Sequence, residues 1–304
     1  MEKQALVSVI IPTYGIPIFL KKAIESVINQ TLNDWELIIV DDNNPDTEAR
    51  KKTEEILLLF SEDRRIKYIK HECNRNGAAA RNTGLVAAKG RYCAFLDSDD
   101  EYMPERLQKC ADALETAEGS IGGIYTGCKF VRGGKVYRIV EKIPSGNFLV
   151  ETLACTFMFC TGSNIFMRME VVRELNGFDE RFIRHQDYEF LARFFENYDL
   201  KAIPETLVLK NNENLNVPNF QKNIDVKKMY INKFKRIIDS LPVKKQDYIY
   251  GSHCIALANI AASTGKWKEA MRYSKRANEY KQTSMKTKMK LLLLYIRSLG
   301  GKRG

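Results

Sequence analysis

Short apolar runs alternate with amphipathic stretches over the first hundred residues of the chain. Four apolar runs have the length of β-strands and lie at residues 6–12, 35–41, 65–70 and 91–96. The stretches between them repeat apolar residues at helical spacing, at 20–28, 47–59 and 76–90. This alternation of strand and helix predicts an α/β fold, in which helices cover both faces of a mostly parallel sheet.

The pattern becomes less regular in the middle of the chain. It predicts a helix at 104–117 and a hairpin built from 121–130 and 135–140. A polar segment at 211–216 then separates this part from a helical and basic one. We therefore predict two domains, residues 1–215 and a basic helical C-terminal region of residues 216–304.

Charge supports this division, because the net charge of +10 is unevenly distributed. After residue 220 the chain has 20 Lys and Arg against five Asp and Glu, so the preceding part is mildly acidic. The segment Met285–Gly304 combines leucines with cations. It either lies on an anionic membrane surface or packs its leucines on its own domain. We expect no nucleic acid partner, since no known module is recognisable and aromatic residues are not interleaved with the lysines.

Several features favour a cytoplasmic protein, peripheral on the inner face of the cell membrane if the basic segment binds lipid. The N-terminal apolar run indicates a first strand and not a signal peptide. The longest later apolar run, Leu291–Ile296, is far shorter than the ~20 residues that span a bilayer. Seven scattered cysteines without a CxxC pair are typical of free thiols in a reducing compartment.

Polar clusters follow three of the predicted strands, at residues 12–14, 41–44 and 97–100. In open parallel sheets, ligands bind at the carboxyl ends of the strands, so these clusters predict one shared site. If the fourth predicted strand, at 91–96, stays extended, Asp97 and Asp99 point the same way at roughly 6–7 Å. Their repulsion of about 2.5 kcal/mol is removed by Mg²⁺ or Mn²⁺, which also bind phosphate oxygens. The alternative for the last cluster is a solvated acidic turn.

The order of these motifs resembles family 2 glycosyltransferases of the GT-A fold. The resemblance covers about residues 5–210 and is carried by the Pro-Thr-Tyr, "IIVDDNN", "NGAAARNTGLVAAKGRY" and "FLDSDD" segments. It implies a nucleotide-sugar donor and a divalent metal, Mn²⁺ or Mg²⁺. The nucleotide-sugar-binding residues that it implies are Pro12, Thr13, Tyr14, Asp42, Arg81, Asp97 and Ser98, and the implied metal ligand is Asp99.

Within that resemblance, Pro12 and Tyr14 contact the base, and Asp42 accepts a hydrogen bond from it. A carboxylate that pairs with a ring N–H favours uracil or thymine, so we expect a UDP-sugar or a dTDP-sugar. Arg81 helps to hold the nucleotide, and Asp97 lies near the ribose. The chain departs from the family at Gly15, where the family usually has Asn.

A downstream segment, "GFDERFIRHQDYEFLARF" at 177–194, resembles the family's element that supplies a general base. The family often has two acids there, whereas this chain has Gln186 followed by Asp187. The resemblance therefore implies that Asp187 takes the proton from the acceptor hydroxyl. The alternative is that Asp187 only caps the helix.

We predict a metal-dependent, inverting glycosyltransferase that acts on a saccharide or a lipid-linked saccharide, in the synthesis of a bacterial surface polysaccharide. Two alternatives remain open at this point. One is a sugar-phosphate nucleotidyltransferase, although no Gly-rich triphosphate loop follows the first strand. The other is a non-catalytic scaffold that uses the basic C-terminal region to bind a membrane.

Overall fold

A computed structural model describes residues 5–212 and 219–281 of the chain. These residues form two compact units, one from 5–147 and 158–212 and the other from 148–157 and 219–281. The predicted boundary between residues 215 and 216 falls outside the described residues and stays a prediction. Segment 148–157, which we expected in the first domain, groups with the C-terminal helices.

A mixed β-sheet forms the centre of the first unit. Its described strands are β1 (Val7–Thr13), β2 (Trp35–Asp41), β3 (Ile66–Lys70), β4 (Tyr92–Phe95), β5 (Asp100–Tyr102), β6 (Ile121–Arg132), β7 (Lys135–Val140), β8 (Phe166–Arg168) and β9 (Asp199–Asn211). Their order is β3-β2-β1-β4-β8-β6-β9-β5, and β7 pairs with β6. The first four strands are parallel, as predicted, whereas β8 runs antiparallel to both its neighbours. The sheet is therefore parallel on the side that the sequence pattern describes best.

Helices follow the strands of the parallel half. Those of the first unit are α1 (Leu20–Ile28), α2 (Glu48–Leu58), α3 (Gly77–Ala87), α4 (Arg106–Glu115), α6 (Met169–Glu174) and α7 (Gln186–Phe194), with a 3₁₀ turn at Gly162–Asn164. Helix α3 packs very close to the sheet, since a Cβ on Gly84 would lie 2.4 Å from Ile10 Cγ2. Small residues in this helix thus serve packing, and they bring its N-terminal end to the edge of the sheet.

Five helices of the described residues belong to the second unit: α5 (Leu149–Leu153), α8 (Phe220–Lys233), α9 (Lys235–Ser240), α10 (Val243–Ser263) and α11 (Trp267–Glu279). Helices α10 and α11 form a hairpin around a core that includes Ala261 and Ala277. Within 5–212 and 219–281, we find no helix with the length and apolar character needed to cross a bilayer. The predicted membrane-facing segment Met285–Gly304 lies outside the described residues.

Candidate active site

A cavity of about 490 Å³ opens at the carboxyl ends of β1, β2 and β4. All eight residues predicted to bind the nucleotide sugar or the metal line it: Pro12, Thr13, Tyr14, Asp42, Arg81, Asp97, Ser98 and Asp99. They come together because parallel strands bring the loops that follow them to one edge of the sheet. Asp187 is not among the lining residues, but it follows Gln186, whose side chain accepts a hydrogen bond from Arg81 at 2.8 Å.

At one end of the cavity, the Asp42 carboxylate is buried and accepts four hydrogen bonds. Oδ1 accepts from His71 Nδ1 at 2.7 Å and from the Arg75 amide at 2.8 Å. Oδ2 accepts from the Asn74 side chain at 2.8 Å and from the Asn76 amide at 2.9 Å. A carboxylate offers about four lone-pair positions, so a base reaches Asp42 only by displacing one of these donors.

The loop after β1 contains the departure from the family pattern. Gly15 has a φ of +80°, and its amide donates to Asn43 Oδ1 at 2.8 Å. A glycine tolerates this left-handed conformation without the strain that a side chain would bring. Tyr14, directly before it, is 67% exposed, so its ring is accessible to a ligand in the cavity.

At the other end of the cavity, the chain turns sharply after β4. The strand ends at Phe95, and the Asp100 amide donates to the Asp97 carbonyl oxygen at 3.0 Å. Our assumption of an extended strand is therefore wrong. The turn places one carboxylate oxygen each of Asp97, Asp99 and Asp100 within 4.8 Å of one another. Asp100, which lay in the predicted cluster but was given no role of its own, thus belongs to the same acidic turn.

Two of these three carboxylates are held by the protein. Asp97 Oδ1 accepts from Arg81 Nη2 at 2.6 Å. Asp100 Oδ2 accepts from the hydroxyls of Ser163 and Thr161 at 2.6 and 3.0 Å. The Asp99 carboxylate makes no hydrogen bond to another side chain within the described part of the chain, so it remains available to a ligand.

The electrostatics of the acidic turn follow from these partners. Burial alone would raise the pKa of Asp97, but the Arg81 guanidinium and the Lys210 ammonium group hold it below its ordinary value. Burial, reinforced by Asp97, raises the pKa of Asp99. Burial raises the pKa of Asp100 to about 7 against the opposing attraction of Lys210. Asp99 and Asp100 thus resist ionisation beside Asp97, which is the setting that a divalent cation relieves.

Asp187 lies in the first turn of α7 and does not cap it. The N-cap residue is His185, which takes a left-handed φ of +60°. Asp187 Oδ1 is buried and has no hydrogen-bond partner among the described residues. A Cβ on Gly162 would come within 3.0 Å of this oxygen, so glycine is needed for the close approach. Burial raises the pKa of Asp187, and nearby Asp97 adds to that effect.

These donors fit a hard divalent cation. Mg²⁺ and Mn²⁺ prefer oxygen ligands, and the acidic turn offers carboxylate oxygens at short mutual distances. Asp99 is the carboxylate least committed to the protein, and the unpartnered Asp187 oxygen indicates a second unsatisfied acceptor nearby. Asp99, with Asp97 beside it, would therefore hold the cation.

The sequence pattern missed residues that organise this site from distant parts of the chain. Asn82 donates to the Phe178 carbonyl oxygen and accepts from the Phe178 amide, both at 2.8 Å, which fixes the turn before α7. Thr161, Ser163 and Lys210 hold the acidic turn. Adjacency to Arg81 could have indicated Asn82, whereas the other three carry no motif that we recognised.

Comparison with known proteins agrees with the geometry. The model of the family described as glycosyl transferase family 2 matches residues 8–175. The amylovoran biosynthesis glycosyltransferase AmsB of Erwinia amylovora is 32% identical over 63% of this chain and 64% of its own length. The UDP-Glc:alpha-D-GlcNAc-diphosphoundecaprenol beta-1,3-glucosyltransferase WfgD of Escherichia coli is 42% identical over 34% of this chain and 38% of its own length. The matched part thus spans less than two thirds of either relative.

A solved structure covers more of the chain. S. aureus TarS 1-349 in complex with UDP-GlcNAc has a TM-score of 0.60 and 15% identity, over 91% of this chain and 92% of that one. At this identity the likeness shows the fold alone, and it confirms the predicted GT-A fold. The family match also favours the transferase prediction over the two alternatives. The chain belongs to glycosyl transferase family 2.

Proposed function

We propose that the protein transfers a sugar from a UDP-sugar to an acceptor hydroxyl with the help of Mn²⁺ or Mg²⁺. The observation that carries this proposal is the convergence of Asp97, Asp99 and Arg81 in one cavity with the loop of Tyr14, which we expect to contact the base. Acids that hold a cation and an arginine that neutralises phosphate suit a nucleoside diphosphate. The donor in the name of WfgD and the ligand of TarS are both UDP-sugars, which supports uridine.

In the proposed reaction, the oxygen of the acceptor hydroxyl attacks the anomeric carbon. Asp187 accepts the proton that this hydroxyl loses. The bond from that carbon to the diphosphate oxygen breaks, and the electron pair leaves with the UDP. Attack from the face opposite the leaving group inverts the anomeric configuration. The cation, when bound, neutralises charge that develops on the diphosphate. Arg81 adds a fixed positive charge on the same side.

We further propose an acceptor from the synthesis of a surface polysaccharide, either a saccharide or a lipid-linked saccharide. The name of WfgD specifies a diphosphoundecaprenol-linked acceptor, and that of AmsB specifies amylovoran biosynthesis. A lipid-linked acceptor agrees with a cytoplasmic protein that is peripheral on the inner face of the membrane. The excess of cations after residue 220 supports that location, since anionic lipid attracts Lys and Arg.

Thermal unfolding in the presence of UDP, GDP and dTDP, each with and without Mn²⁺, tests the donor class. We expect UDP with Mn²⁺ to raise the unfolding temperature more than UDP alone, because the cation joins the diphosphate to Asp99. Asp99→Asn should lose the part of the rise in unfolding temperature that depends on Mn²⁺. Asp112→Asn is the control, because Asp112 is an exposed carboxylate of α4. This variant should keep the Mn²⁺-dependent rise. Stabilisation by GDP but not by UDP would contradict the proposed donor.

A further inference from the structure

Lys210 lies beside the acidic turn although it comes from a distant strand. Strand β9 pairs with β5, and this register sets Lys210 opposite Asp100. The Lys210 Nζ lies 3.5 Å from Asp100 Oδ2 and 3.2 Å from Thr161 Oγ1. Its side chain is only 22% exposed. A largely buried ammonium group is thus held next to the carboxylates that would bind a cation.

The charges around this ammonium group are unequal. Three carboxylates of the acidic turn and that of Asp187 face two cations, Arg81 and Lys210. Arg81 is hydrogen-bonded to Asp97 and to Gln186. Lys210 therefore offsets part of the negative charge of Asp99 and Asp100 when no metal is present. Charges a few ångströms apart in a partly buried site interact strongly, so this ammonium group also repels an incoming cation.

We propose that Lys210 is the resident counter-ion of the acidic turn and makes divalent-cation binding depend on the donor diphosphate. Without a diphosphate, the ammonium group offsets part of the carboxylate charge and weakens the binding of Mn²⁺. The diphosphate brings negative charge that also pairs with the ammonium group, so the repulsion of the cation by Lys210 is relieved. Lys210 is a positioning residue in this scheme, and the inference rests on the proposed function because it uses the same metal and the same donor.

Mn²⁺ titration of the 304-residue chain followed by electron paramagnetic resonance, with and without UDP, tests this role. Without UDP, we expect Lys210→Met to bind Mn²⁺ roughly fivefold or more tightly than the wild type, because a repelling charge is gone. UDP should then increase Mn²⁺ affinity less in Lys210→Met than in the wild type. Lys210→Arg keeps the charge and should behave like the wild type.

Lys201→Met is the matched control, since Lys201 is on the same strand and its ammonium group donates to the Ala113 carbonyl oxygen. It should leave Mn²⁺ affinity unchanged. Lys210→Met should also unfold at a lower temperature without metal and regain stability with Mn²⁺, a rescue that a purely structural lysine would not show. If Lys210→Met does not fold, Lys210→Gln removes the same charge and retains a donor for Thr161.

Mn²⁺ binding without UDP that is no tighter in the folded neutral variants than in the wild type would overturn the inference. These titrations need neither an acceptor nor turnover. A failure to transfer sugar from UDP-sugars would therefore count against the proposed function, while the Mn²⁺ affinities would still decide the role of Lys210.

Discussion

The carboxylates at the two ends of the cavity differ in how many hydrogen bonds they accept from the protein. Asp42 has four hydrogen-bond donors supplied by the chain, whereas Asp99 has none from another side chain in the described residues and a buried oxygen of Asp187 has no partner. A satisfied carboxylate holds local structure together, and an unsatisfied one is retained for a ligand or a proton. We therefore expect the chemistry at the acid-rich end, which contains the acidic turn and Asp187. We expect the Asp42 end to be a rigid part of the binding site.

The largest expected effect comes from removing the unsatisfied acid. Asp187→Asn keeps the shape of the side chain but cannot accept the acceptor's proton. We expect the turnover number to fall by about 100-fold or more, with the affinity for UDP and Mn²⁺ kept. Transfer assays with a UDP-sugar and calorimetry of UDP binding give the two quantities.

Glu196→Gln serves as the control for this variant, because Glu196 is an exposed carboxylate just beyond the same helix. It should leave both turnover and binding unchanged. Turnover in Asp187→Asn close to that of the wild type would remove Asp187 from the role of general base.

The pH dependence of turnover sharpens the same contrast. Burial raises the pKa of Asp187 above its ordinary value, and the base works only when it is ionised. Turnover should therefore fall as the pH drops through that raised pKa, by about tenfold per pH unit below it. The acid limb should be absent from the residual activity of Asp187→Asn. If the wild type and Asp187→Asn both lose turnover at low pH in the same way, a group other than Asp187 causes that loss.

Sequence pattern predicted the parallel half of the sheet well, because buried parallel strands are short continuous apolar runs. The runs that became β2 and β4 are followed by acidic residues, so Asp42 and Asp99 could be placed at the sheet edge from local sequence alone. The geometry of the acidic turn was not predictable in this way. A strand pattern does not show where the strand stops, and the chain turns at Ser98 instead of staying extended.

The residues that hold the acidic turn were missed for a different reason. Lys210 reaches Asp100 only through the pairing of β5 with β9, which are more than a hundred positions apart. Ser163 reaches the same carboxylate through a 3₁₀ turn of three residues, too short to leave a periodic signal. Local patterns describe elements, whereas these contacts arise from tertiary structure, so a single sequence carries little trace of them.

A moderate effect is expected from weakening the support of the acid-rich end. Ser163→Ala removes the hydroxyl that donates to Asp100 Oδ2 at 2.6 Å and accepts from the Asp97 amide at 2.9 Å. Both partners are left in a buried site, so we expect the free energy of unfolding to fall by about 1–3 kcal/mol. Denaturant titration measures this change. Ser61→Ala, whose hydroxyl is exposed, should change it by less than about 0.5 kcal/mol, and equal effects would contradict the assigned role of Ser163.

The smallest expected effect tests the Asp42 end. Asn74→Ala removes one of the four donors to Asp42, and because Asn74 is exposed the free energy of unfolding should change by less than about 0.5 kcal/mol. If the base N–H of uridine takes that position, UDP should bind as well as before or up to about threefold more tightly, as calorimetry can measure. CDP, whose base presents an acceptor there, should gain nothing, and Asn29→Ala should change neither affinity. A loss of about tenfold in UDP affinity would instead mean that the Asn74 amide contacts the base and that Asp42 only orients it.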